Sequence, residues 1–103
     1  MKIKPGVIIA GLKIEMRLAL LVAEEVYKDE GLQLTVTSAL DGDHSAGSYH
    51  YYGYAVDIRS RGMNEPQKKR VVKEIQENLP PYYDVINEVS HIHIEYDVEK
   101  ATA

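Results

Sequence analysis

Between Lys13 and Glu30 the apolar residues Ile14, Leu18, Leu21, Val22 and Val26 recur at three- and four-residue steps. Charged residues fill much of the other face, and Gly31 stands where a helix would stop. This period predicts an amphipathic helix. The period then drops to two. Leu32, Leu34, Val36 and Ser38 alternate with Gln33, Thr35 and Thr37, which predicts a strand with one solvated face. A polar, glycine-rich stretch from Asp41 to Gly53 reads as a loop with room for a short helical turn. Tyr54 to Arg59 is a second strand, with Ala55 and Asp57 alternating against Val56 and Ile58. A second helix is expected from Glu65 to Leu79. Asn64 is its cap, Gln67 completes a capping-box-like pair, and Pro66 suits the first turn. Its buried stripe is Val72, Ile75 and Leu79, and Pro80-Pro81 ends it. The charged run from Gln67 to Lys73 reads as its wet side, with no function. Tyr83–Glu88 and His91–Tyr96 complete the pattern as strands joined in a hairpin through Val89-Ser90. Helix, two strands, helix, two strands describes an α+β domain with a small, mainly antiparallel sheet flanked by two or three helices.

Composition narrows the chemistry. The 103 residues suit one domain, spanning 1–103, and 45% apolar residues can form an ordinary core. A formal net charge of −4 offers no basic field for phosphates, so nucleic acid is not an expected partner. There is no cysteine, so any metal must be held by His, Asp or Glu. The apolar run Val7–Ala10 is too short for a signal-peptide core, and Leu18–Ala23 is far short of a membrane span. Synthesis in the cytosol, no membrane insertion and a monomeric state are the resulting expectations.

Three of the four histidines fall in two short segments that also carry acids: Ser48 to Asp57 and Glu88 to Glu95. In the first, a loop histidine and a strand aspartate flank Gly53, a corner that can aim both side chains at one point. In the second, His91 and His93 share one strand face. Two neutral imidazoles and a carboxylate form a three-ligand set that leaves the fourth position of a tetrahedral zinc for water, as catalytic zinc sites do. Such an ion lowers the pKa of its water to about 7, and a nearby acid is needed to move the proton.

The pattern Ser48-x-His50-x-x-Gly53-x-Ala55-x-Asp57, followed by His91-x-His93, resembles the zinc metallopeptidases that include D-alanyl-D-alanine carboxypeptidases and phage endolysins. The signalling domain of hedgehog and the lysostaphin-type endopeptidases are more distant relatives of that core. Five specified letters at this spacing would arise by chance with probability on the order of 10⁻⁴ or less. Thr37-Ser38, Asp41-Gly42 and His44 add to the likeness, which runs from about Gly11 to Asp97.

The resemblance implies a hedgehog/D-Ala-D-Ala-peptidase-like fold and a zinc ion held by His50, Asp57 and His93. It also implies hydrolysis of amide bonds in peptidoglycan stem or cross-link peptides, with His91 beside the metal to polarise the substrate or stabilise the tetrahedral intermediate. The expected general base is Glu88. It lies three residues before His91, whereas Ser90 occupies the equivalent position before His93, so the alternative with His91 as ligand stays open. Ser90 also raises a second reading, a zinc-binding module of this fold without turnover. Ser48, Tyr52 and Arg59 are candidate substrate contacts. Arg59 shares a strand face with Asp57 and can grip a carboxylate or pair with a neighbouring acid. The tyrosines at 49, 51, 52 and 54 can bury ring area or wall a groove. Glu95 can buttress a ring nitrogen or face solvent, and His44 reads as a surface or outer-sphere loop residue. A lysis protein of a phage or prophage, released by a separate membrane-permeabilising partner, fits the small size.

Overall fold

A computed structural model describes residues 1–41, 49–50 and 52–103. The elements in chain order are β1 (Lys2–Ile3), α1 (Ile14–Asp29), β2 (Thr35–Ser38), β3 (Ala55–Arg59), α2 (Glu65–Glu77), β4 (Tyr83–Asn87), β5 (His91–Tyr96) and α3 (Val98–Thr102). The five strands form one mixed sheet in the order β1-β2-β3-β5-β4. Only the β1–β2 junction is parallel, and the other pairings are antiparallel. The expected α+β class holds. β1 and α3 escaped the sequence reading because a two-residue strand and a five-residue helix are shorter than any periodicity window. Asp97 caps α3 by accepting from the Lys100 N–H at 3.1 Å.

Helices α1 and α2 cover one face of the sheet. Val36, Val56, Ile58, Ile92 and Ile94 point into that layer and are fully buried. The buried stripe of α1 differs from the expected one. Met16, Ala19, Leu20, Ala23, Val26 and Tyr27 face the core, while Ile14, Leu18 and Leu21 are exposed. Apolar residues occur nearly all round this helix, so periodicity alone could not choose a face. The chosen face carries Ala19 and Ala23, which let the helix approach the sheet closely.

α2 ends at Glu77, two residues before the expected Leu79; on it Val71 and Ile75 are buried and Val72 only partly so, and Leu79 is buried just beyond the helix end. Asn64 caps it as expected, accepting from the Gln67 N–H at 2.8 Å. The Gln67 side chain does not close a capping box. It donates to Glu30 Oε1 at 3.3 Å, beside Arg70, which holds the same carboxylate through two N–H donors at 2.8 and 3.1 Å. This clamp ties the end of α1 to the start of α2.

The run from Gln67 to Lys73 is therefore not uniformly wet. Lys68 is only 4% exposed, and its ammonium donates to the carbonyls of Glu88 and Val89 at the corner of the β4–β5 hairpin. A long stem buried against the core with a charged head on two carbonyls satisfies both halves of the side chain. Just past Asn87 the Glu88 N–H bonds His91 O at 3.0 Å, which closes the β4–β5 hairpin. At the free edge of β4, the Gln76 amide donates to Tyr83 O and accepts from the Val85 N–H, covering part of that edge.

β2 is shorter than predicted, and its non-core side is not solvated, since Thr35 is buried. It also carries a bulge. Val36 pairs with Ile58 but Ser38 pairs with Asp57, so two residues oppose one, and the Thr37 hydroxyl donates to Asp57 O at 3.3 Å.

Candidate metal centre

The sheet face turned away from the helices carries Ala55, Asp57 and Arg59 of β3. Directly opposite them on β5 stand Glu95, His93 and His91. Period-two alternation and this register put one acid of β3 beside both histidines of β5. His91 Nε2 and His93 Nδ1 lie 3.5 and 2.9 Å from Asp57 Oδ1.

His50 arrives from outside the sheet. A turn with Tyr52 N–H to Tyr49 O, Gly53 N–H to His50 O and Tyr54 N–H to Tyr49 O folds the chain tightly just before β3. Gly53 has φ of +76°, and a Cβ there would lie 2.5 Å from Gly11 O. The Lys13 N–H bonds Gly53 O at 3.0 Å. The turn is thus pressed onto the start of α1, and His50 is buried with its ring facing the sheet residues.

His50 Nε2 is 3.3 Å from His93 Nδ1 and 3.4 Å from Asp57 Oδ1. Three tetrahedral ligands each about 2.0–2.2 Å from one ion stand about 3.3–3.6 Å apart. The three donor atoms already have that spacing, except that the His93–Asp57 pair is drawn in to a direct hydrogen bond. Among the described residues these three form the group whose donor atoms all lie within 4.8 Å of one another, and His91 does not join it.

Outer partners orient both imidazoles. His50 Nδ1 is 2.8 Å from Ala39 O, a carbonyl that can only accept, so Nδ1 donates there and, in the neutral ring that a metal requires, Nε2 presents the lone pair. Ala39 follows the bulge in β2, and its N–H donates to Asp41 Oδ1 at 2.9 Å. On the other imidazole, His93 Nε2 donates to Glu95 Oε1 at 2.8 Å, which turns Nδ1 toward the cluster. Glu95 therefore buttresses a ring nitrogen rather than facing solvent. The Ala39 carbonyl left no trace in the sequence, because any residue could supply it.

Burial would raise the Asp57 carboxyl, but hydrogen bonds from His50 and His93 and the field of His50 and His91 outweigh it. They hold the group well below the usual carboxylate range. Burial would lower His93, yet Asp57 and Glu95 outweigh it and raise its pKa.

The remaining predicted residues are spread around the cluster. Glu88 is exposed at the hairpin corner, and among the described residues no hydrogen bond or ion pair joins its carboxylate to the metal ligands. Arg59 lies partly buried two positions from Asp57, and no acid among the described residues pairs with its guanidinium. Tyr52 is exposed, while Tyr54 stacks on Tyr96 with centroids 5.6 Å apart and Tyr49 donates to Asp97 at 3.5 Å. Ser48, His44 and Tyr51 lie outside the described residues.

Set against known protein families, curated proteins and solved structures, the chain matches none of them.

The raised His93 pKa makes metal affinity pH-dependent, because the ion needs Nδ1 deprotonated. In the metal-free protein, the His93 contribution to stability is full below its unfolded value of about 6.5 and is lost as pH rises through the raised folded value. Asp57 contributes above its unfolded value of about 3.9 and loses that only in strong acid. Metal affinity should therefore rise about tenfold per pH unit below the His93 pKa and level off above it. Competition titrations from about pH 5.5 to about pH 8.5 would check this, and a flat profile would contradict it.

Proposed function

We propose that the chain is a zinc-dependent peptidase that hydrolyses amide bonds of peptidoglycan stem or cross-link peptides. One observation carries this reading: the His50, Asp57 and His93 donor atoms converge to 2.9–3.4 Å of one another, with both imidazoles oriented from behind by Ala39 O and Glu95. Two nitrogens and one carboxylate oxygen suit zinc. A zinc ion held there supplies Lewis acidity and makes water acidic enough to attack a carbonyl near neutral pH.

The chain's own groups would do the rest. His91, partly exposed beside Asp57, has Ser90 Oγ 3.0 Å from its Nδ1. With the serine hydroxyl donating there, His91 Nε2 carries the proton and can donate to a developing oxyanion. Glu88 stands opposite His91, so alternation puts its side chain on the same sheet face, one strand repeat from Ile86, which pairs with His93. From that rim its carboxylate would receive the proton of the attacking water and pass it to the leaving amine. Arg59, lacking an acid partner among the described residues, would meet a substrate carboxylate, with Tyr52 beside the entrance. Action on the wall after release by a membrane-permeabilising partner belongs to the same proposal.

A second reading, a zinc-binding module without turnover, is favoured by the lack, among the described residues, of a hydrogen bond or ion pair between the Glu88 carboxylate and the three ligands. Purified protein should release new amino groups from peptidoglycan, a chelator should stop this, and zinc should restore it. Glu88→Gln should lower kcat about 10²–10⁴-fold, the usual range for a lost acid–base group, while zinc stays bound at one ion per chain. Zinc binding with no release by either protein would favour the binding module.

A further inference from the structure

The outer side of α1, turned away from the sheet, is apolar. Ile14 is 76% exposed, Leu18 46% and Leu21 66%, and their i, i+4, i+7 spacing makes one continuous ridge. A groove runs beside it, walled by Met1, Leu20 and Leu21 and rimmed by Arg17 and Glu24. Met1 is itself 53% exposed, and from Met1 and Leu20 the apolar surface continues to Ile3 and Ile9. From these exposures the patch covers on the order of 500 Å², near the top of the ~300–600 Å² reached by the largest patch on an ordinary monomer.

We infer that this surface binds a second copy of the chain, with the two α1 helices crossing antiparallel about a two-fold axis. A ridge and a groove side by side on one surface are self-complementary under a two-fold, since each ridge can enter the other's groove. The charges agree. Arg17, near the start of α1, has no acid partner among the described residues, and Glu24 stands two turns later, half-exposed, with one oxygen 3.1 Å from the Met1 ammonium. Antiparallel crossing brings each Arg17 toward the other copy's Glu24. The apolar patch with its polar rim approaches the ~800 Å² per partner of a standard interface. Because α1 and the metal centre lie on opposite sides of the sheet, both centres of such a dimer stay open. This association does not depend on the proposed reaction, and it differs from the monomer expected from the sequence.

Sedimentation equilibrium of the full chain tests it. The expected result is a reversible shift from 11.6 kDa to twice that mass, with a dissociation constant on the order of 1–100 µM. Leu21→Glu, at an exposed position, should raise that constant about 100-fold or more with an unchanged circular-dichroism spectrum. Arg17→Glu should weaken the dimer about 10-fold, and adding Glu24→Arg should restore it. A single 11.6 kDa species up to about 1 mM, a dimer indifferent to Leu21→Glu, or adsorption to phosphatidylglycerol vesicles without doubling of mass would each overturn the inference.

Discussion

Asp57→Asn is expected to abolish metal binding while leaving the fold in place. Asp57 is the one anionic donor of the three, and Oδ1 is the atom that both His50 Nε2 and His93 Nδ1 approach. An amide keeps the shape but loses the charge that offsets a divalent cation. Changing an outer partner of a metal ligand costs about 10–100-fold in affinity, and replacing the ligand itself should cost more. Elemental analysis after gel filtration should fall from about one ion per chain to near zero, and any metal-dependent peptide release should fall with it.

The same substitution has a consequence without metal. The hydrogen bonds to Asp57 are charge-assisted, and each such bond typically contributes about 1.5–3 kcal/mol. The metal-free variant should therefore lose about 1–3 kcal/mol in urea unfolding. Asp84→Asn is the control. Asp84 lies on the same sheet face opposite Glu95, but its carboxylate pairs with Lys100 at 2.7 Å. Its loss should leave metal content unchanged. Retention of one ion per chain by Asp57→Asn would remove the metal centre from consideration.

Gly53→Ala should be among the most damaging single-atom additions in this chain. At φ of +76° an L-residue is strained by about 1–2 kcal/mol, and a Cβ 2.5 Å from Gly11 O forces backbone apart, which adds about 1–3 kcal/mol. A total near 3 kcal/mol corresponds to a fall in Tm of about 10–20 °C for a domain of this size. The movement needed to relieve the contact would carry His50 away from Asp57 and His93, so metal affinity should fall in the same variant. Gly62→Ala is the comparison. It shares a positive φ of +90° but meets nothing within 4 Å, so it should show only the backbone strain. Equal melting of the two variants would mean that the approach of Gly53 to Gly11 is not a real constraint.

Some of this architecture could be read directly from residue order. The two long helices and the strands at β3, β4 and β5 were legible because each buries one face, and burial imprints a period of 3.6 or 2 on the chain. His50, Asp57 and the His91/His93 pair stood at spacings that a turn-to-strand corner and an alternating strand bring to one side, and only the resemblance to zinc metallopeptidases pointed to His93 of the two. The face of α1, the burial of Lys68 and the choice between solvent and His93 for Glu95 were not legible in this way. Two of these depend on a neighbour distant in sequence, the sheet against Ala19 and Ala23 and the hairpin carbonyls above Lys68, while Glu95 meets a ring two residues away that Asp57 holds from the neighbouring strand.

The sequence by itself therefore determined the kinds of element and the donor atoms available, since those follow from local sterics and side-chain chemistry. Only the tertiary structure decided which donors meet. The β3–β5 register, the bulge that presents Ala39 O and the press of Gly53 on Gly11 each join segments at least a dozen residues apart. Ligand spacing to within an ångström is set by those long-range contacts, and no local pattern encodes them.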